Sequence, residues 1–450
     1  MEPNVRTPRA RPILDMNAYD AAGAAAGPAG SLLARRQANI GAASVLFYRE
    51  PIEMVSARGC WMEAADGRRY LDFYNNVPSV GHAHPHVVEA IARQVSVLNI
   101  HTRYLNRWTE DYLDRLKATL PAALSNVVLT CTGSEANDLA MRIATEATGG
   151  QGFVVTEAAY HGNTLAVTGI SPSALKRGAL PTTVETVPAP GSAAYGNDVA
   201  GGFRAAVEGA VQRLAGRGVA PAALICDSIF SSDGVFADPP GFLAPAAQAI
   251  RAAGGLFIAD EVQPGFARTG AAFWGFARHA VTPDIVTMGK PMANGYPMGG
   301  VAASPDLVAR FCETVGYFNT FGGNPVAAAA GLAVLDVMEA EGLQENARVV
   351  GVHVLDRLRA LSAQDPRITG VRGAGLFIGV DLCRPGDPGQ PDPELTTTVI
   401  NGLRDRCVLI GAAGRYGHTL KVRPPLCLTR EEGDLFVDAL ADTLASQPPA

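Results

Sequence analysis

The chain is predicted to be an α/β protein with a mostly parallel central sheet flanked by helices in a large domain and a second, smaller α/β domain. Three observations carry that expectation. Short apolar runs recur, each ending in a polar or glycine-bearing cluster: NVVLT before CTGSEAN, GFVVT before EAAYHGN, ALIC before DSIFSSDG, LFIA before DEVQPGFARTG, and DIVTMG before KPMANG. Runs so short and so continuously apolar read as buried parallel strands. Alanine-rich segments with helical periodicity, DLAMRIATEATG and GFLAPAAQAIRAAGG, lie between them, so the order is strand, helix, strand. Finally, 450 residues with a 48% hydrophobic share exceed one small core, and two domains are the default.

After about Pro325 the pattern changes. A long alanine-rich helix candidate, PVAAAAGLAVLDVMEAEG, is followed by RGAGLFIGVDL and LKVRPPLCL, which suits the smaller domain. The expected division is an N-terminal arm and a segment contributing to the small domain over 1–75, the large domain over 76–325 and the small domain over 326–450. CRPGDPGQPDPE reads as a surface loop because of its prolines, glycines and acids. The first thirty residues read as an unanchored arm, since Asp15, Asn17 and Asp20 interrupt the apolar core that a secretion signal needs.

Composition narrows the function classes. A formal charge of −6 and a 7% aromatic share offer no basic face for nucleic acid. No apolar run is long enough for a membrane helix. Seven scattered cysteines, without a CxxC pair, suggest reduced thiols and a cytoplasmic location. Small-molecule chemistry is the expectation.

In open α/β sheets ligands bind beyond the carboxyl ends of the strands, where the polar clusters fall. Lys290 follows DIVTMG, and Asp260 ends GGLFIAD thirty positions earlier. A lysine can form a Schiff base with an aldehyde cofactor, and a carboxylate can keep a pyridine nitrogen protonated so that the ring accepts electrons. The pair therefore suggests pyridoxal phosphate, although each residue alone reads as a strand end. Gly133 and Ser134 stand between a strand and a helix, where free N–H groups favour a phosphate; an ordinary N-cap serves equally well. Tyr160 and His161 follow the next strand and put an aromatic ring where it can cover a planar cofactor.

Taken together, TGSEAN, YHGNT, DEVQPGFARTG, TMGKPMANGYPMGG and TFGGNP resemble, in order and spacing, the class III (ω-amino acid type) pyridoxal-phosphate aminotransferases, from about YLDFYNN to the C-terminus. The resemblance implies a fold-type I enzyme, with the large domain binding pyridoxal 5'-phosphate, and a homodimer with active sites at the interface. It implies that Lys290 links covalently to the cofactor, Asp260 pairs with the pyridinium nitrogen, Gln263 approaches the ring hydroxyl and Tyr160 stacks on the ring. Gly133, Ser134 and His161 belong to the same cofactor site, and Thr320 reaches the cofactor phosphate from the neighbouring subunit.

Other clusters read as structure. His82, His84 and His86 alternate, but Pro85 interrupts the strand that would make them a metal face, and a similar GHxHP turn occurs in the family without a metal. RGAGLFIG lacks the third glycine of a dinucleotide fingerprint and reads as a tight turn into a strand. MGKP has Asp284 and Pro291 where a nucleotide loop needs Gly and Ser or Thr.

The substrate expectation rests on two departures from the family pattern. Members that bind an α-carboxylate carry an arginine where LKVRPPL has Lys421, and a glutamate in a loop where FSSDG has Ser232. A point charge and a hydroxyl replace an arginine fork and its acidic counterpart, which suits a phosphate better. Arg423 lies close by in sequence, and Arg103, in NIHTRYLN, is a further candidate for the substrate phosphate. YLDFYNNVPSVGHAHPHVVEAI and VLNIHTRYLN most resemble the phospho-lyase branch, which acts on O-phosphoethanolamine or phosphorylated hydroxylysine, with a related branch acting on amino-hydroxy phosphonates. Transamination of an ω-amine or of alanine and glyoxylate is the alternative. A cofactor-binding protein without catalysis would need none of the electron-sink residues.

Overall fold

The computed structural model describes residues 9–20, 30–384 and 386–447. Near the N-terminus, β1 (Met54–Arg58), β2 (Trp61–Ala64) and β3 (Arg69–Asp72) form an antiparallel meander. The strands β4 (Asn126–Thr130), β5 (Gly152–Thr156), β6 (Val184–Val187), β7 (Pro221–Cys226), β8 (Leu256–Asp260), β9 (Ile285–Met288) and β10 (Gly299–Ala303) form one sheet in the order β4-β10-β9-β8-β7-β5-β6. Only β10 runs against its neighbours. Every residue of β5, β7, β9 and β10 is buried, as a sheet covered on both faces requires.

Helices cover that sheet. Gly133–Thr148 packs on β7, β9 and β10, while Val199–Gly216 and Leu243–Ala252 pair with each other and lie on β6 and β8 respectively. Pro325–Ala340 is apolar nearly all round and is buried between Pro85–Val95 and Arg107–Lys117. It starts with Pro325 at its first position, capped by Asn324 Oδ1, which accepts from the Ala327 amide at 2.9 Å.

The C-terminal part adds β11 (Ile368–Ala374), β12 (Phe377–Arg384), β13 (Asp387–Pro391), β14 (Val408–Leu409), β15 (Gly411–Ala413) and β16 (Thr419–Val422). The order β11-β12-β16-β15 makes a second sheet, and β14 pairs in parallel with β3, tying the chain's two ends together. The segment CRPGDPGQPDPE differs from the expected loop: its middle is β13, paired with β12. Proline lacks a donor and is tolerated on such an outer strand.

The N-terminal arm is also not free where it is described. The Arg11 amide donates to the Arg415 carbonyl at 2.9 Å, Tyr48 donates to the Asn17 carbonyl at 3.1 Å, and Ala18 bridges Phe47. Met16 is buried. The polar residues that argue against a signal peptide therefore do not keep this segment in solvent; its apolar Ile13, Leu14 and Met16 have a surface to cover.

His82, His84 and His86 each meet a different carboxylate, Asp72, Glu341 and Asp336, at 2.7, 2.9 and 3.0 Å. All seven cysteines are free, and the Cys60 and Cys427 sulfurs stand 3.7 Å apart. Among the described residues no helix is long and apolar enough to cross a membrane.

The turn between β11 and β12 is locked onto the helix Leu343–Ser362. A Cβ on Gly351 would sit 2.3 Å from the Gly375 carbonyl oxygen, whereas one on Gly209, in the helix Val199–Gly216, would meet only the end of Arg213 at 3.5 Å. Gly351→Ala should lose about 1–3 kcal/mol of stability and Gly209→Ala should gain about 0.5–1 kcal/mol, read as opposite shifts of the denaturation midpoint.

Candidate active site

The polar residues at the carboxyl ends of β5, β7, β8 and β9 converge with β16 and the N-terminal segment. Lys290 begins one short turn after β9, and Gly289 before it is held so near the helix Gly133–Thr148 that a Cβ there would lie 3.1 Å from the Gly133 nitrogen. Small size at position 289 thus brings Lys290 to the helix start. Gly133 is equally constrained, because its Cβ would meet the Val262 side chain at 2.8 Å. Thr132 caps this helix through the Glu135 amide. The amides of Gly133 and Ser134 lie in its first turn, which has no preceding carbonyls to bind.

Asp260 ends β8 and is 4% exposed. Its Oδ2 accepts from Asn137 Nδ2 at 3.0 Å and faces His161 Nδ1 at 2.7 Å, and its Oδ1 accepts from the Val262 amide at 3.1 Å. Asn137 is in turn held by the Thr287 hydroxyl at 2.6 Å and donates to the His161 carbonyl at 2.7 Å. His161 therefore stands behind the carboxylate and fixes it. Asn137 lies within TGSEAN, yet its part in this network depends on tertiary contacts that spacing does not reveal.

A cavity of about 160 Å³ opens beside these residues. Lys290, Tyr160, Gln263, Ser232, Lys421 and Arg423 line it, and Ile13, Leu14, Met16 and Asn17 of the N-terminal segment cover it. Burial, followed by the charge of Arg423, lowers the Lys290 amine to about 8, against the opposing pull of Asp260 and Asp227. Lys421 is 2% exposed, and burial first and then Arg423 hold it well below the usual lysine range. Burial also raises the Tyr160 phenol.

A relay borders the cavity. Asp227 accepts from the Ser231 hydroxyl at 2.6 Å, Ser231 Oγ accepts from Gln263 Nε2 at 2.7 Å, and Gln263 Oε1 accepts from Arg423 Nη1 at 2.9 Å. Gln263 keeps one N–H and one lone pair for another partner. Arg423 also lies over the Tyr74 ring at 4.5 Å, and its buried Nε has no partner among the described residues. Sequence reasoning missed Asp227, Ser231 and Asp233. Asp233 accepts from Thr156 at 2.7 Å and from the Ala158 amide at 3.0 Å, and burial pushes it up to about 7. Glu261, next to Asp260, is also buried and raised to about 7, but it serves the Ser228 hydroxyl and the Gly275 and Phe276 amides.

Two predicted residues lie elsewhere in the protomer. Thr320 is exposed, and Arg103 is exposed with its guanidinium over the Phe318 ring at 4.1 Å. Their sequence neighbours Phe321, Tyr104 and Leu105 are exposed as well.

The family profile described as aminotransferase class-III matches residues 47–444. The chain belongs to the class-III aminotransferase family. It is accordingly a fold-type I enzyme that depends on pyridoxal 5'-phosphate. A Caenorhabditis elegans relative named ethanolamine-phosphate phospho-lyase homolog 1 is 34% identical over 434 residues, covering 92% of this chain and 93% of the relative. A Drosophila melanogaster relative named alanine–glyoxylate aminotransferase 2-like is 37% identical over 427 residues, covering 91% and 86%. Among solved structures, a phospholyase from Arthrobacter in complex with phosphoethanolamine has a TM-score of 0.90 and 41% identity, covering 93% of this chain and all of that one.

The donor set of this class-III aminotransferase fits the cofactor. A buried carboxylate suits a pyridinium nitrogen, a helix start suits a phosphate, and a lysine with lowered basicity suits an aldehyde. Asn137 is the hub of the carboxylate's support. Asn137→Ala should strand the Thr287 hydroxyl and the His161 carbonyl and lower stability by about 1–3 kcal/mol in denaturant titrations. Adding Thr287→Val removes one stranded group and should recover part of that loss.

Proposed function

We propose that the protein is a phospho-lyase that eliminates phosphate from a small phosphorylated amine, converting O-phosphoethanolamine to acetaldehyde, ammonia and phosphate. The observation that carries this reading is the pairing of Lys421 and Ser232 in the cavity that also holds Lys290. Lys421 is a buried amine with no carboxylate in hydrogen-bonding contact among the described residues, and Ser232 Oγ is buried with no partner among them. A tetrahedral dianion supplies acceptors for both. The Arthrobacter phospholyase, solved with phosphoethanolamine, supports the same substrate class.

In this reading Lys290 bears the covalent link to the cofactor and shuttles the proton at the amine-bearing carbon. Asp260 would hold the pyridine nitrogen protonated, and Asn137 and His161 orient Asp260. Gly133 and Ser134 would hold the cofactor phosphate, and Tyr160 and Gln263 would contact its ring and ring hydroxyl. Bound pyridoxal phosphate supplies the electron sink for the carbanion. Lys421 and Arg423 receive the substrate phosphate, with the N-terminal segment excluding water above them. Transamination is the second reading, favoured by the aminotransferase names of several relatives.

The purified holoenzyme should release phosphate, ammonia and acetaldehyde in equal amounts from O-phosphoethanolamine with no keto acid present. Lys290→Ala should abolish release, and borohydride reduction followed by peptide mass spectrometry should find the cofactor on Lys290. Amino exchange with pyruvate or glyoxylate, with no phosphate from any phosphorylated amine, would establish the transaminase instead.

The exposed surface bearing Thr320 and Arg103 suits a homodimer in which each protomer completes its partner's site. Thr320→Ala should weaken cofactor retention on dialysis and leave the circular dichroism spectrum intact. A fully active monomer in dilute solution, by sedimentation, would contradict this arrangement.

A further inference from the structure

We propose that Lys421 is the proton donor to the departing phosphate, with Ser232 holding that phosphate in place. The proposal rests on the phospho-lyase reading and assigns a chemical step to a residue otherwise needed only for charge.

The leaving group sets the requirement. Cleaving the carbon–oxygen bond of a phosphomonoester dianion sends the electron pair to the bridging oxygen, and without a proton the product is the strongly basic phosphate trianion. Transfer of one proton from the Lys421 ammonium to that oxygen gives hydrogen phosphate dianion and a neutral Lys421 amine. Charge and protons balance with no further reactant.

The surroundings single out Lys421. It lies on β16 between Gly379 of β12 and Gly411 of β15, so neither flanking strand presents a side chain at that register. Its ammonium faces the Phe377 ring at 5.6 Å, and among the described residues no carboxylate oxygen comes within the 4.0 Å of an ion pair. Arg423, one residue past the end of β16, and Lys290 beyond β9 disfavour its charge, while Asp227 and Asp233 beyond β7 favour it. Asp381 of β12 is occupied by Arg372 and Thr419. Burial lowers the amine's basicity further, so the ammonium gives up its proton readily. A bound phosphate dianion reverses the balance and draws a proton onto Lys421 before the bond breaks. Arg423 cannot take this part, because a guanidinium does not release its proton and Nη1 is committed to Gln263 and Asn76. Lys290 is already assigned to the cofactor and to the proton at carbon.

Ser232 Oγ completes the site. It is 3% exposed, lines the same cavity and has no hydrogen-bond partner among the described residues. Its backbone is pinned by the Gly414 amide, which donates to the Ser232 carbonyl at 3.0 Å.

The test compares O-phosphoethanolamine with its sulfate counterpart, 2-aminoethyl hydrogen sulfate, whose leaving group departs without a proton. Lys421→Arg keeps the positive charge but cannot donate. In the holoenzyme it should lower kcat for phosphate release about a hundredfold or more, with the KM changed only several-fold. Sulfate release should fall far less, so that the ratio of phosphate to sulfate release drops at least about thirtyfold. Wild-type kcat for phosphate should decline at high pH as Lys421 loses its proton, and the sulfate profile should lack that limb. A second measurement does not depend on turnover: inorganic phosphate binding to the wild-type holoenzyme should take up protons, by calorimetry in two buffers of different ionisation enthalpy. Lys421→Arg should take up none. Lys421→Met, judged folded by its cofactor absorbance, should lose both proton uptake and phosphate elimination. Equal loss of phosphate and sulfate release in Lys421→Arg, or retention of both, would overturn the proton-donor role while leaving the lyase standing. No phosphate release by the wild type would instead remove the lyase reading itself.

Discussion

The geometry of this site hangs on holding one carboxylate, Asp260, inside a sheet that is apolar on both faces. Burying an isolated carboxylate costs several kcal/mol, and the structure offsets that cost with directed hydrogen bonds rather than with water. Asn137 comes from the helix Gly133–Thr148, His161 from the segment after β5, and the Val262 amide from the turn after β8. Thr287 of β9 holds Asn137, and Ser171 Oγ accepts from the His161 amide at 3.0 Å. Anchoring Asp260 therefore also fixes the start of the helix that carries Gly133 and the end of the strand that leads to Lys290. A shift in any one of these elements would strand a buried donor or acceptor.

Outside that network the cavity is a contest between cations and acids. Lys290, Lys421 and Arg423 approach from β9 and β16, while Asp227 and Asp233 approach from the loop after β7. The acids answer incompletely, because burial raises both and Asp227 spends its oxygens on Ser231 and neighbouring amides. The relay through Ser231 and Gln263 passes that acid's influence to Arg423 and leaves Lys421 aside. Lys421 is consequently the cation whose charge state is most open to control by whatever enters the cavity.

Much of this frame is legible in the sequence, for physical reasons. β4, β5, β7, β8 and β9 are rich in Val, Ile, Leu and Phe and end at polar clusters, so their burial and the convergence of their ends follow from composition and order. β10, GGVAA, carries almost no side-chain signal; Gly299 is required by its approach to Thr132, where a Cβ would lie 2.5 Å from the backbone carbonyl oxygen. β13 escapes notice because prolines and acids spell a loop until β12 supplies a partner. The N-terminal segment reads as free because a few apolar residues among polar ones have no periodicity; what anchors them is the cavity mouth, a tertiary surface. Lys290, Asp260, Gln263, Tyr160, Lys421 and Arg423 stand at strand ends or in a recognisable motif. Asn137, Ser231 and Asp227 act through contacts between elements far apart in sequence. Arg103 and Thr320 are exposed and do not line the cavity.

On the family resemblance, Lys421 and Ser232 stand where carboxylate-binding members carry an arginine and a glutamate, and that difference has an electrostatic consequence beyond substrate fit. An arginine facing a glutamate is neutralised by it, keeps its proton in any surroundings and can turn between partners. A lysine facing a serine has no counter-ion, and burial then works directly on its basicity. The exchange thus converts a permanent, compensated charge into a conditional one that a bound anion can restore. A carboxylate ligand supplies one negative charge and a planar pair of oxygens, which suits a fork. A phosphate dianion supplies two charges and a tetrahedral set of oxygens, which suits a point charge and a hydroxyl approaching from different sides. With Arg423 stacked on Tyr74 and tied to Gln263, its bidentate recognition of a ligand is already constrained, which on the proposed phospho-lyase reading leaves the anion to Lys421 and Ser232.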